Sequence, residues 1–280
     1  MSNYSFFEAQ KWAFSYVKKY RLEKAAVDLL LCGEMGYSTT ELLVHLRDEM
    51  PVEHWQNFRT NVELYCQGWP PQYLLGQASF YGMRLKVTPD VLIPRTETEE
   101  LVDWILEDNG QRAQKVADIG TGSGAIGLAL KSERPEWQVT LTDISDKALS
   151  VAQTNAELLH LPVEFCQGDM LAPLPDNNYD IIVCNPPYIA RTEAPVMDQS
   201  VIEHEPHLAL FAAEKGLAMY RKLSENILSY VHPGAKLYLE IGYHQGASVT
   251  GIFEHKFPSA EVTLKTDMYD NERMVRVIFE

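Results

Sequence analysis

Asp118-Ile119-Gly120-Thr121-Gly122-Ser123-Gly124 joins an apolar run, Lys115 to Ile119, that reads as a strand to Ala125 to Ser132, which reads as a helix. Three alternating glycines let the backbone turn tightly and approach a ligand with no side chain in the way. The dinucleotide fingerprint has wider spacing, G-x-G-x-x-G, around a pyrophosphate. The tighter G-x-G-x-G run suits a cofactor that presents an amino acid and a nucleoside. Gly120, Thr121, Gly122, Ser123 and Gly124 are therefore expected to touch a cofactor.

Outward from this turn, strands and helices alternate. Gln138 to Thr142, Val163 to Cys166, Asp180 to Cys184 and Lys236 to Ile241 read as further strands. Helices are expected at Ser145 to Leu159, Gly216 to Val231 and His244 to His255. Such alternation predicts an α/β domain with a mostly parallel sheet covered on both faces. Ala260 to Lys265 and Met274 to Phe279 end the chain as an antiparallel edge hairpin.

The strand ends carry the chemistry. Asp143 closes the second strand and can accept hydrogen bonds from both ribose hydroxyls; its alternative is a helix cap ahead of Ser145. Gly168-Asp169-Met170 follows the third strand, where an adenine would lie. Asp169 could take the exocyclic amine and Met170 supply an apolar face, although filling gaps is the commoner use of methionine. After Ile181-Ile182-Val183-Cys184 comes Asn185-Pro186-Pro187-Tyr188. The Asn185 side-chain oxygen and the Pro186 carbonyl offer two acceptors for the two hydrogens of one NH₂ group. Pro186 and Pro187 fix φ and remove competing N–H donors. Tyr188 could lie against a planar amide or base. Asn185, Pro186 and Tyr188 are the candidate catalytic residues, and with Pro187 they are expected to bind the substrate group.

Ahead of the catalytic region, residues 1–77 carry apolar residues at helical spacing over Phe6 to Tyr20, Leu22 to Gly33, Thr39 to Met50 and Pro51 to Gln67. Gly33 and Gly36 punctuate the second of these, and Thr39 or Thr40 could cap the third. Trp69-Pro70-Pro71 breaks the pattern. This stretch is expected to be a small helical domain without catalytic groups. Residues 78–92 read as a bridging β-hairpin, and 93–280 as the catalytic domain, whose first helix starts near Thr96 or Thr98.

Acidic residues number 39 against 24 Lys and Arg, a net charge of −15. A protein that grips a phosphate backbone usually carries a basic patch, so nucleic acid is disfavoured as the substrate. No apolar run approaches the roughly 20 residues that cross a bilayer, and no signal peptide is visible at the start. Cys32, Cys66, Cys166 and Cys184 show neither paired nor metal-like spacing. No metal or membrane partner is expected, and the thiols read as reduced in a cytoplasmic protein.

Taken together, Asp118 to Gly124 and Asn185 to Tyr188 resemble the seven-stranded Rossmann-like methyltransferases that modify exocyclic or amide nitrogens. The chain is similar, more narrowly, to the protein-(glutamine-N5) methyltransferases that act on peptide chain release factors. The likeness extends to Pro71-Gln72-Tyr73-Leu74-Leu75-Gly76, Phe80-Tyr81-Gly82 and Val91-Leu92-Ile93-Pro94-Arg95-Thr96-Glu97-Thr98-Glu99. It continues in Glu205-Pro206, Ala209-Leu210, Gly216-Leu217 and Glu240-Ile241-Gly242. Thr96 departs from the proline more usual in the family, and Met170 from the tryptophan of some relatives.

The resemblance implies S-adenosylmethionine as cofactor, S-adenosylhomocysteine as product, and the glutamine of a release factor's Gly-Gly-Gln motif as acceptor. It implies in-line transfer by positioning and electrostatics, with no general base assigned, and a helical domain that helps dock the release factor. Arg95 and Glu97 either order the cofactor and peptide region or form a surface ion pair at a helix start. Glu205 and His207 are equally open, whereas His232, His244 and His255 read as surface histidines. The alternatives are a glutamine methyltransferase of a ribosomal protein, an adenine-amino methyltransferase of nucleic acid, and a non-enzymatic binding protein of the same fold.

Overall fold

Two compact units make up the chain in a computed structural model that describes residues 4–280. One holds the chain up to Gln77 together with Asp198–His204; the other holds Ala78–Met197 and Glu205–Glu280.

The first unit is helical: α1 (Phe6–Lys19), α2 (Lys24–Met35), α3 (Thr39–His45), α4 (Val52–Tyr65) and α5 (Pro71–Leu75). Ala9, Ala13 and Val17 form a buried stripe on α1, packed in one core with Leu30, Leu31 and Phe58. Capping boxes open α1 at Ser5 with Glu8, and α3 at Ser38 with Glu41. Ser38, rather than Thr39 or Thr40, is thus the cap, because its spacing to Glu41 satisfies two end donors reciprocally. Helix α2 runs through Gly33 and ends at Gly36, which adopts φ 68°. Within the helix Gly33 lets Leu75 pack close, since a Cβ there would stand 2.4 Å from Leu75 Cδ1. Helix α3 is shorter than its periodicity suggested. The proline pair that ends the α4 region also starts α5, with Pro71 in the first turn, where a missing N–H costs nothing.

In the second unit a hairpin of β1 (Gln77–Phe80) and β2 (Met83–Lys86) leads to α6 (Thr96–Asp108). Then follow β3 (Lys115–Ile119), α7 (Ala125–Glu133), β4 (Gln138–Asp143), α8 (Asp146–Leu158), β5 (Glu164–Gln167) and β6 (Tyr179–Cys184). Next come β7 (Ile189–Ala190), α9 (Gln199–His204, in the helical unit), α10 (His207–Leu210) and β8 (Phe211–Ala212). The chain ends with α11 (Ala218–Asn226), β9 (Val231–Glu240), α12 (Gly246–Lys256), β10 (Glu261–Thr266) and β11 (Glu272–Ile278).

The seven-stranded sheet has the order β10-β11-β9-β6-β3-β4-β5. Six strands run in one direction, and only β11 is reversed, pairing antiparallel with both β9 and β10. Val116, Leu141, Ile181 and Val183 face one apolar layer. Ala117, Ile119, Ile182 and Cys184 face the other, which explains why β3 and β6 read as continuous apolar runs. Strand order reverses beside β3, the topological switch point where open α/β sheets bind ligands. Register then fixes the neighbours: Ile119 pairs with Thr142 on one side and Cys184 on the other. The glycine turn, Asp143 and Asn185 therefore leave the same edge side by side.

Two expectations need correction. The helix expected over Gly216 to Val231 is α11 followed by a 3₁₀ turn, Ile227–Ser229. Strand β9 starts at Val231, opposite Tyr179, and a register shift before the Ile181–Lys236 pair absorbs Pro233-Gly234. No element was expected between Tyr188 and Gly216, where β7, a 3₁₀ turn, α9, α10 and β8 occur; each is too short to show a period. No described helix is long and apolar enough to cross a membrane. Among the described residues no cluster suited to a metal occurs, and all four cysteines are free, only Cys184 being buried.

Candidate active site

A cavity of about 350 Å³ opens at this edge. Gly120, Thr121, Gly122 and Ser123 form one wall of it. Gly120 and Gly122 have φ of 69° and 56°, and a Cβ on either would meet nothing within 4 Å. Both positions thus expose bare backbone to open space, a wall to which an amino-acid moiety can lie close. Gly124 does not line the cavity. At φ 85° it is the N-cap of α7, and a Cβ there would crowd Leu128 and Ala152.

Asp118 underlies the turn. Its Oδ2 accepts from the Thr121 hydroxyl at 2.6 Å and the Gly127 N–H at 3.0 Å, tying the loop to the first turn of α7. Burial, only partly offset by those bonds, pushes its carboxyl up to about 6.

Asp143 lines the cavity beside the turn. Its two oxygens accept from the N–H groups of Gly122 and Ser145, each at 2.9 Å. The cap of α8 is the Ser145 hydroxyl, which accepts from the Ala148 N–H at 3.2 Å. Asp143 is therefore not the helix cap, and each of its oxygens keeps acceptor capacity for a ligand. Burial raises its carboxyl above the usual range while the backbone N–H bonds hold it down. At the far side Asp169 and Met170 line the same cavity. The Asp169 carboxylate is ion-paired with Lys222 of α11, a partner not foreseen. Met170 adopts φ 55°, a conformation seldom taken by a non-glycine residue.

Asn185 and Pro187 reach the cavity, whereas Pro186 and Tyr188 are not among its lining residues. The Asn185 Nδ2 donates to Thr98 Oγ1 at 3.4 Å. The Tyr188 hydroxyl donates to Glu240 Oε1 at 3.3 Å, and its carbonyl accepts from Gln245 Nε2 at 2.9 Å. Burial first, then the Glu240 charge, raises the Tyr188 phenol well above its ordinary value. The ring is thus anchored at its hydroxyl end instead of lying free over the cavity.

Of the two readings of Arg95 and Glu97, the ion pair between them does not form. Arg95 lines the cavity and is ion-paired with Glu205, whose side chain is nearly inaccessible and also accepts from the Ile93 N–H at 3.4 Å. A buried carboxylate needs a charged partner, and Arg95 supplies it across 110 residues. Thr98, Lys222, Glu240 and Gln245 were not singled out as site residues in the sequence. Their partners are remote along the chain, so no spacing reveals them.

Comparison with known proteins adds an independent line. Residues 97–209 match the methyltransferase small domain family, and residues 8–76 match the PrmC N-terminal domain family. The chain is 38% identical over 269 residues to a release factor glutamine methyltransferase from Enterococcus faecalis, covering 96% of this chain and 97% of that one. A release factor glutamine methyltransferase from Lactococcus lactis is 48% identical over 211 residues, 75% of this chain and 78% of its own. Among solved structures, a methyltransferase from Pyrococcus furiosus shares the fold, with a TM-score of 0.54 at 16% identity. It covers 72% of this chain, which in turn covers 90% of it.

Proposed function

Because the chain belongs to the family of release factor glutamine methyltransferases, we propose that it methylates the side-chain amide nitrogen of a release-factor glutamine, that of the Gly-Gly-Gln motif, using S-adenosylmethionine. The observation that carries the reading is the meeting of the bare glycine wall, Asp143 and Asn185 on one cavity. That set suits the cofactor: backbone for the amino-acid part, a carboxylate for two ribose hydroxyls, and Met170 with Asp169 toward the adenine.

When bound, the sulfonium cofactor supplies an electrophilic methyl carbon. The chain's own groups do the remaining work. An amide nitrogen is a weak nucleophile, so orientation matters more than proton removal. Asn185 Oδ1 and the Pro186 carbonyl would accept the two N–H hydrogens and fix the amide plane. Pro187, carrying no N–H, offers no competing donor. Once methylated, the amide nitrogen becomes acidic enough to lose its proton to water, which fits the lack of an assigned base.

The test incubates the protein with purified bacterial release factor and isotopically labelled S-adenosylmethionine, then maps the label by mass spectrometry. Label on the glutamine amide of the Gly-Gly-Gln peptide is the expected result. Label appearing instead in RNA, DNA or a ribosomal protein, with none in the release factor, would overturn the reading.

A further inference from the structure

Thr98 belongs to the run Arg95-Thr96-Glu97-Thr98-Glu99, and Glu240 to Glu240-Ile241-Gly242. Both are buried, at 5% and 3% exposure. Thr98 sits in the first turn of α6 and Glu240 at the carboxyl end of β9. Their side chains meet beside Asn185, and Thr98 lines the cavity with it.

The proton inventory of this cluster is restrictive. A carboxylate can only accept, and Glu240 receives the Thr98 hydroxyl at 2.6 Å on Oε2 and the Tyr188 hydroxyl at 3.3 Å on Oε1. Burial raises the Glu240 carboxyl above its ordinary range, while the Thr98 hydrogen bond and the Arg273 charge oppose that rise and favour the ionised form. The Thr98 proton is thereby used, so toward Asn185 its oxygen can act only as an acceptor. It meets the Asn185 Nδ2 at 3.4 Å, a long contact whose value is directional rather than energetic. The NH₂ end of Asn185 is turned to Thr98, and Oδ1 is left at the other end of the amide.

Resting on the acceptor reading of Asn185 above, we propose that Thr98 and Glu240 are positioning residues that set which end of the Asn185 amide faces the substrate. An amide turned end for end about its last torsion has nearly the same shape. It would present two N–H donors to the glutamine NH₂, and the acceptor clamp would be replaced by a donor–donor clash. Shape alone cannot prevent that reversal. The hydroxyl–carboxylate pair does, by leaving Thr98 no proton to give.

A double-mutant cycle tests this, using release factor as substrate. Thr98→Val keeps shape and removes the hydroxyl; Thr98→Ser keeps the hydroxyl. Thr98→Val should lower kcat by about tenfold or more, as expected for lost orientation at a reacting group. The KM for release factor, the affinity for S-adenosylmethionine and the melting temperature should stay near those of the parent, and Thr98→Ser should recover most of kcat. Asn185→Asp carries oxygen at both ends and cannot be wrongly turned. In that background Thr98→Val should cost less than about threefold, a non-additivity that independent effects do not produce.

An equal loss in both backgrounds would overturn the proposal, as would a kcat for Thr98→Val within a factor of about two of the parent. So would a parallel fall in cofactor affinity or stability, which would make Thr98 a cofactor contact or a structural residue. If Asn185→Asp is too slow to measure, the contrast of Thr98→Val with Thr98→Ser decides. Asn185→Ala separates the two levels: full kcat there would remove the acceptor reading itself, whereas a large loss with a silent Thr98→Val would sink only the positioning role.

Discussion

Asp118 shows how much one buried carboxylate can weigh. It is 1% exposed and its carboxyl is pushed from 3.8 to about 6, first by burial. Between those values the native state holds a proton that the unfolded chain has lost, so stability falls as pH rises through that window and is flat above it. A shift of about two units corresponds to roughly 3 kcal/mol. Asp118→Asn keeps an acceptor for Thr121 and Gly127 but removes the charge. Urea unfolding at pH 4 and pH 7 should show the variant gaining about 1–3 kcal/mol on the parent between the two; an unchanged difference would mean that Asp118 titrates normally. Asp143→Ala should weaken S-adenosylmethionine binding by about 1–3 kcal/mol in calorimetry, the range for hydrogen bonds to a charged group. Equal affinity would remove Asp143 from the cofactor site. The glycines, Asp143 and Asn185 were visible in the sequence because their chemistry needs particular residue types at adjacent positions. The pairing of Glu240 with Thr98 was not, since 142 residues separate the two and only the packing of α6 against β9 brings them together.

At the scale of elements, the alternation of strand and helix gave away the sheet, and the strand order placed the cavity. The pieces between Tyr188 and Gly216 stayed illegible because none is long enough to display a period. What organises them is close approach. Gly216 has φ 86°, and a Cβ on it would lie 2.0 Å from the Tyr188 carbonyl oxygen, a backbone atom that cannot step aside. Gln245 Nε2, which donates to the same carbonyl, would stand 2.5 Å from that Cβ. Gly216→Ala should therefore push the loop after β6 out of place, costing about 1–3 kcal/mol of stability together with much of the turnover. Gly234, also at φ 86°, has open space around it. Gly234→Ala should cost only the left-handed backbone penalty, roughly 1–2 kcal/mol, and spare activity. Calorimetry and initial rates on both variants make the comparison, and equal behaviour of the two would refute the crowding argument.

For the molecule as a whole, charge and connectivity matter most. With a net charge of −15, there is little to be gained from releasing counterions off a nucleic acid. Added duplex DNA at low salt should leave the rate of release-factor methylation unchanged; strong inhibition would reveal a polyanion site that composition hides. Connectivity is subtler. A boundary drawn along the sequence near Gln77 misses that Asp198–His204 belongs with the helices, where the His204 ring stacks on Trp69 at 4.2 Å. The next residue, Glu205, holds Arg95 of the cavity. The backbone thus passes between the units at three places, after Gln77, Met197 and His204. A protease nick near Gln77 would leave the N-terminal helices held only by their packing on Asp198–His204. A recombination event that traded the N-terminal helices as a cassette would leave His204 facing a stranger's surface in place of Trp69. Exchange of this module between homologues is therefore constrained to copies that change both stretches together.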